Sequence, residues 1–140
     1  MKNVLIFALG GDRWAIELRW VREVFTLGPV TPIPTAPPAV AGAVNFRGTI
    51  LPVLFGPALL AVGGKVHAPR AGHSAVLLDV DDTSAALAVD RIDEVTTLEE
   101  QDGVLVDVKG REVTLADPGA ILRAARQQVI AAAGEHGPRS

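Results

Sequence analysis

The chain has 140 residues, a formal net charge of −3 and no cysteine, with 49% of its residues apolar and 21% charged. That length predicts one domain, or two very small ones sharing a core, and the apolar share is far above that of a disordered chain. Thirteen Lys and Arg scattered along the sequence build no basic stripe, which argues against nucleic acid or an anionic membrane as partner, and the lack of cysteine removes disulfides and thiolate metal sites.

Met1-Lys2-Asn3 is followed by VLIFALGG, an apolar run too short to span a membrane and without a clear cleavage site, so a cytoplasmic location is expected. After the polar break Gly10 to Arg13, the residues Trp14, Ile16 and Leu18 alternate with Arg13, Glu17 and Arg19, the period of a half-buried strand. VREVFTL leads into GPVTPIPTAPP, a stiff extended connection whose fixed φ angles lower the cost of ordering it. Its PxxP spacings, Pro29/Pro32 and Pro34/Pro37, offer a second reading as a polyproline ligand for another protein.

Next comes GAVNFRGTILPVLF, residues 42–55, in which Arg47 is the sole charge. Gly56-Pro57 can begin a short helix, and the Gly-rich segment 61–75 reads as a link. AVLLDV and a polar break from Asp81 to Ser84 then reopen the strand pattern. At the far end Asp117 is a good N-cap with Pro118 at the first helical position. The helix over 118–133 is expected to pack Ile121, Leu122, Ala125 and Val129 on one face and to fray after Ala133.

The chain repeats itself. AIELRWVREVFTL (15–27) and ALAVDRIDEVTTL (86–98) share five of thirteen residues, and GTILPVLFGPALL (48–60) matches GREVTLADPGAIL (110–122) more weakly in the same order. A tandem of two related, mainly β units follows. Each has five or so short strands, and closure into a pair of small barrels avoids sticky edges. The boundaries drawn are 1–60 for the first unit, 61–75 for the linker and 76–122 for the second. Between the matched segments the first unit carries twenty residues and the second eleven, so Arg47 ends a stretch that the second unit lacks and is read as unnecessary for building a barrel.

Catalytic chemistry has little to work with. His67, His73 and His136 form no i,i+4 pair and have no local acidic partner, so no metal site and no general base is expected. No serine lies in a GxSxG turn and neither Gly pair opens a phosphate loop. Asp79-Val-Asp81-Asp82 lacks the Gly and Glu of a calcium loop and reads as an acidic hairpin turn. No enzyme, cofactor or metal is expected.

The order VLIFALGGDRWAIEL, VREV, VTPIPTAPPAVAGAVNFRGTILPV, AVLLDVDDTSAALAVDRIDEV closely resembles the CheW family, over roughly Val4 to Leu122. That resemblance implies two SH3-like five-stranded β-barrels with a shared apolar core, and a non-enzymatic adaptor between chemoreceptors and the histidine kinase CheA. One face would dock a CheW-like domain of the kinase, and a groove between the barrels would take the cytoplasmic tip of a receptor. The matching partner-binding positions are Val21, Glu23, Val24, Gly42, Asn45, Arg47 and Gly48, with Glu23 as the expected ion-pair partner of Arg47. Leu54-Phe55-Gly56-Pro57 replaces polar family residues with apolar ones, and Phe46 stands where Leu is usual. Leu54 and Phe55 are therefore expected at an exposed edge and available for self-association. The departures also leave open a divergent scaffold that binds another protein, for instance in surface motility or polarity control.

Overall fold

In this computed structural model the structure describes residues 1–102 and 104–135. Among the described residues, two single-turn 3-10 helices (Leu18–Trp20 and Gly56–Ala58) accompany ten strands and one α-helix, in order: β1 (Lys2–Leu9), β2 (Asp12–Glu17), β3 (Val21–Thr26), β4 (Val40–Phe46), β5 (Thr49–Leu54), β6 (Ser74–Val80), β7 (Thr83–Val89), β8 (Arg91–Gln101), β9 (Val104–Val106), β10 (Glu112–Leu115) and α1 (Pro118–Glu135). Each half of the chain supplies five strands, as the repeat requires.

The two barrels do not coincide with the two halves. A closed barrel runs β1-β2-β10-β9-β8 and a second five-stranded sheet runs β3-β6-β7-β5-β4, so each takes a hairpin from one half and three strands from the other. This corrects the division into a 1–60 barrel and a 76–122 barrel. The exchange is symmetric to the residue. Val24 lies opposite Val76 and its repeat mate Val95 opposite Leu5; Val53 lies beside Ala86 in parallel and Leu115 beside Ala15. Repeat similarity locates equivalent strands but carries no signal about which strand each one pairs with, and pairing is what defines a barrel.

Burial follows from that exchange. On β1, Val4 and Ile6 point into the closed barrel, whereas Leu5, Phe7 and Leu9 point into a larger core between the barrels. On β6, Ala75 and Leu77 fill the second sheet and Val76 and Leu78 the shared core. Strands covered on both faces read as unbroken apolar runs, which is why VLIFAL and AVLL look alike. The helix closes the shared core. Asp117 Oδ1 accepts from the Ala120 N–H at 3.2 Å, and Ile121, Leu122 and Ala125 are buried. Val129 is not on that face: it is 46% exposed. Gln128 turns inward instead, accepting from the Ala39 N–H at 3.0 Å and donating to the Ala58 carbonyl. The helix also continues past Ala133 to Glu135, and no helix among the described residues is long and apolar enough to cross a membrane.

Leu54 overturns its expectation. β5 lies between β7 and β4 rather than at an edge, and Leu54, paired with both Leu87 and Val40, is 2% exposed. Phe55 is half-buried, and its N–H donates to the Ala39 carbonyl at 2.9 Å. No bare strand edge is present there to drive self-association.

Candidate partner-binding site

The second sheet curls until its outer strands, β3 and β4, meet without a backbone ladder between them. In the closed barrel the equivalent strands β8 and β9 are hydrogen-bonded from Glu99–Val106 to Gln101–Val104. The difference lies in the proline-rich stretch between β3 and β4. Proline has no N–H to offer a ladder, and the segment turns away: Pro34-Thr35 occupy a turn closed by the Ala36 N–H on the Ile33 carbonyl at 3.2 Å, with Thr35 at φ 63°. That turn breaks a continuous polyproline helix, in keeping with the reading as a stiff connection. Thr31 then exchanges both backbone hydrogen bonds with Ala43, crossing so close that a Cβ on Gly42 would lie 2.5 Å from the Thr31 carbonyl oxygen. Gly42 is buried and serves this crossing.

Side chains close the seam that the backbone leaves open. The Phe25 and Phe46 rings meet with centroids 4.4 Å apart. At the outer end Arg47 grips Glu23 with both arms, Nη1 donating to Oε2 at 2.9 Å and Nη2 to Oε1 at 2.6 Å. The expected pair is therefore present, in the bidentate form that suits a guanidinium. It is exposed, at 70% for the Arg47 side chain and 32% for Glu23. The Arg47 guanidinium also lies over the Phe46 ring at 4.6 Å.

Arg47 occupies the β4–β5 hairpin tip with Gly48, at φ 50° and 85°, flanked by the pair Phe46–Thr49. Two positive φ values across a two-residue loop make a type I′ turn. Asn45 Oδ1 caps it by accepting from the Gly48 N–H at 2.9 Å. Arg47 thus does help to build a barrel hairpin, and its repeat mate Lys109 sits before Gly110 in the other half. This corrects the reading of Arg47 as dispensable to the barrel.

Of the seven positions expected to bind a partner, Glu23, Asn45, Arg47 and Gly48 come together at this tip. Val24 is 39% exposed on the neighbouring strand, Val21 packs half-buried against the shared core, and Gly42 lies under the proline-rich crossing. Sequence reasoning missed Arg22, Thr49 and Ser84, which line a cleft of about 290 Å³ beside the pair. The repeat held the signal for Arg22, because VREV faces IDEV with the charge reversed at Arg22 and Asp93. Ile50, opposite Asn45 in the same hairpin, is 66% exposed. His67 is exposed and His73 half-buried; His136 lies outside the described residues.

The CheW-like domain model matches residues 3–126. The chain belongs to that family. Among curated CheW-family relatives, the chemotaxis protein CheW of Rhizobium meliloti strain 1021 is 30% identical over 101 residues, covering 72% of this chain and 64% of that protein. The chemotaxis protein CheW of Treponema pallidum strain Nichols is 28% identical, covering 71% and 60%. The matched region thus spans less than two thirds of these relatives' length. The crystal structure of the scaffolding protein TtCheW from Thermoanaerobacter tengcongensis superposes with a TM-score of 0.61 at 24% identity, over 74% of this chain and 68% of that one. That likeness shows the fold alone; Asn45, Arg47 and Gly48, three of the positions expected to bind a partner, form the exposed hairpin tip.

Proposed function

We propose that this chain is a non-enzymatic CheW-like adaptor that couples chemoreceptors to a CheA-type histidine kinase in a chemosensory system and works in the cytoplasm. The observation that carries the reading is the bidentate Arg47–Glu23 pair, held outward where β3 and β4 meet without a ladder, beyond the single backbone bridge of Thr31 with Ala43. A stabilising ion pair has no need of so exposed a place, since surface pairs contribute about 0–1 kcal/mol. An arginine fork whose partner Glu23 adjoins exposed Val24 in the chain, on a hairpin that also carries exposed Ile50, instead combines the charged anchor and apolar surround found where proteins bind proteins. Family membership supports partners of the same kind as those of CheW-type chemotaxis proteins. The test is calorimetric titration of the purified chain with the CheA regulatory domain and with the receptor cytoplasmic tip from its own organism. Saturable binding to at least one is expected; binding to neither refutes the assignment.

A further inference from the structure

The two barrel mouths are built on one frame and finished differently. In both, the strand that lies against the other half's hairpin carries a one-residue bulge at the same place. The ladder skips Arg22 between Val21 and Glu23, and it skips Asp93 between Ile92 and Glu94. A bulge re-aims its side chain.

The closed barrel's mouth is plugged from within. Arg13 donates to Asp107 Oδ2 at 2.6 Å and to Asp93 Oδ2 at 3.4 Å. Arg111 Nε donates to the same Asp107 oxygen at 2.9 Å, while Asp107 Oδ1 accepts the Lys109 and Arg111 N–H groups. At the other mouth the repeat mates of Arg13, Arg111, Asp107 and Asp93 are Ser84, Thr49, Asn45 and Arg22. The two long cations have become small hydroxyls, one carboxylate has become an amide, and the bulged acid has become a base. What remains is the cleft of about 290 Å³, floored by the buried Leu51 and Leu77.

We propose that this cleft receives an Asp or Glu side chain of a partner protein, with Arg22 and Arg47 as its ion-pair donors. Charge decides for an acid. Glu23 is the one carboxylate that lines the cleft and both its oxygens are held by Arg47, so an entering cation finds no uncommitted carboxylate there; Asp79, 3.9 Å from Arg22, is not among the lining residues. An entering carboxylate meets Arg22, whose side chain is 66% exposed, the donors of Arg47 that Glu23 does not use, and two hydroxyls. The plugged mouth holds its carboxylate between the guanidinia of Arg13 and Arg111; at this mouth the two cations stand at Arg22 and Arg47 instead. The proposal rests on the adaptor reading only in taking the acid from a partner protein, and its test uses neither kinase nor receptor.

The experiment titrates the ¹⁵N-labelled full chain with acetyl-Gly-Glu-Gly-amide and, in parallel, with its Gln and Arg analogues at low salt. Backbone amides and arginine Nε–H signals are followed by NMR. The Glu peptide should shift Ser84, Thr49 and the Arg22 and Arg47 Nε–H signals saturably, and the Gln peptide should not. Arg22→Gln should weaken the response about fivefold. The double variant Arg22→Asp/Ser84→Arg, which copies the Asp93–Arg13 pair into this mouth, should abolish it. Equal response to the Gln peptide, preference for the Arg peptide, an unchanged response in Arg22→Gln, or no shift at these residues each overturns the proposal and leaves the adaptor assignment standing.

Discussion

Arg47 holds a backbone angle that costs a side-chain-bearing residue about 1 kcal/mol, in exchange for a turn that aims its fork along the barrel's open seam. Its exposed pair with Glu23 contributes about 0–1 kcal/mol, and an alanine there would keep the same backbone strain. Arg47→Ala should therefore leave the melting temperature nearly unchanged while weakening partner binding at least about tenfold, as truncating an interface arginine commonly does. Arg47→Gly should melt as high or slightly higher and bind as poorly. A variant that melts much lower yet binds normally would make Arg47 a turn residue only. Asp107 behaves in the opposite way, because its carboxylate is buried. Burial alone would raise its pKa, but the Arg111 N–H, the Arg13 guanidinium, the Lys109 N–H and the Arg111 side chain together hold it well below the usual carboxylate range. Asp93 is lowered too, chiefly by its hydrogen bond from Arg91. Carboxyls with depressed folded pKa values add stability that is present above the unfolded value, about 3.9, and lost as pH falls through the folded values. Asp107→Asn should thus melt several degrees lower at neutral pH and lose less stability than wild type between about pH 4 and 2. An identical acid limb in the variant would show that the network carries no linkage.

Among the elements, the type I′ hairpins show how alike the two halves are and where they part. The β1–β2 turn uses Gly10-Gly11, at φ 63° and 86°, whereas the equivalent β6–β7 turn uses Asp81-Asp82, at φ 50° and 63°. Glycine adopts these angles at no steric cost, and aspartate tolerates them better than most residues but still pays. Asp82→Gly should accordingly raise stability by about 0.5–1 kcal/mol and the melting temperature by about 2–4 °C, measured by thermal denaturation. A fall would mean that the Asp82 carboxylate makes contacts worth more than its strain. These hairpins were legible in the sequence, because period-two alternation interrupted by a short polar break is a local signal. The helix start at Pro118 was legible for the same reason. Val129 was not: an apolar residue at helical spacing says which faces are possible, while the choice of Gln128 as the inward residue depended on an unpaired Ala39 N–H and an Ala58 carbonyl far off in the sequence. The unladdered seam was also hidden, since it arises from where the proline-rich segment turns rather than from either strand it separates.

At the scale of the whole molecule, the repeat made the strand count and the paired barrels readable, and the family motif pointed to Arg47 and Glu23, yet the exchange of hairpins between halves left no trace in either copy. It has a physical consequence that a bead-like pair of barrels would lack. Each half alone would leave a hairpin without its three companion strands, and β1 and β6, buried on both faces, would lose both covers. The barrels should therefore melt together in one cooperative transition. The linker makes this testable. Its first part is pinned, the Gly63 N–H donating to Asp12 Oδ2 at 2.9 Å and Gly64 lying so close to Gly10 that a Cβ there would meet the Gly10 carbonyl oxygen. Further on, Arg70 and Ala71 are exposed. Brief trypsin treatment should cut after Arg70 and yield two fragments that stay together on size exclusion, because both barrels and the shared core span the cut. The nicked protein should still melt in a single, lower transition. Once separated in denaturant, neither fragment should show a cooperative melt alone, and mixing should restore it. Independent folding of the 1–70 fragment, or two resolved transitions in the intact chain, would mean that the barrels are separable after all.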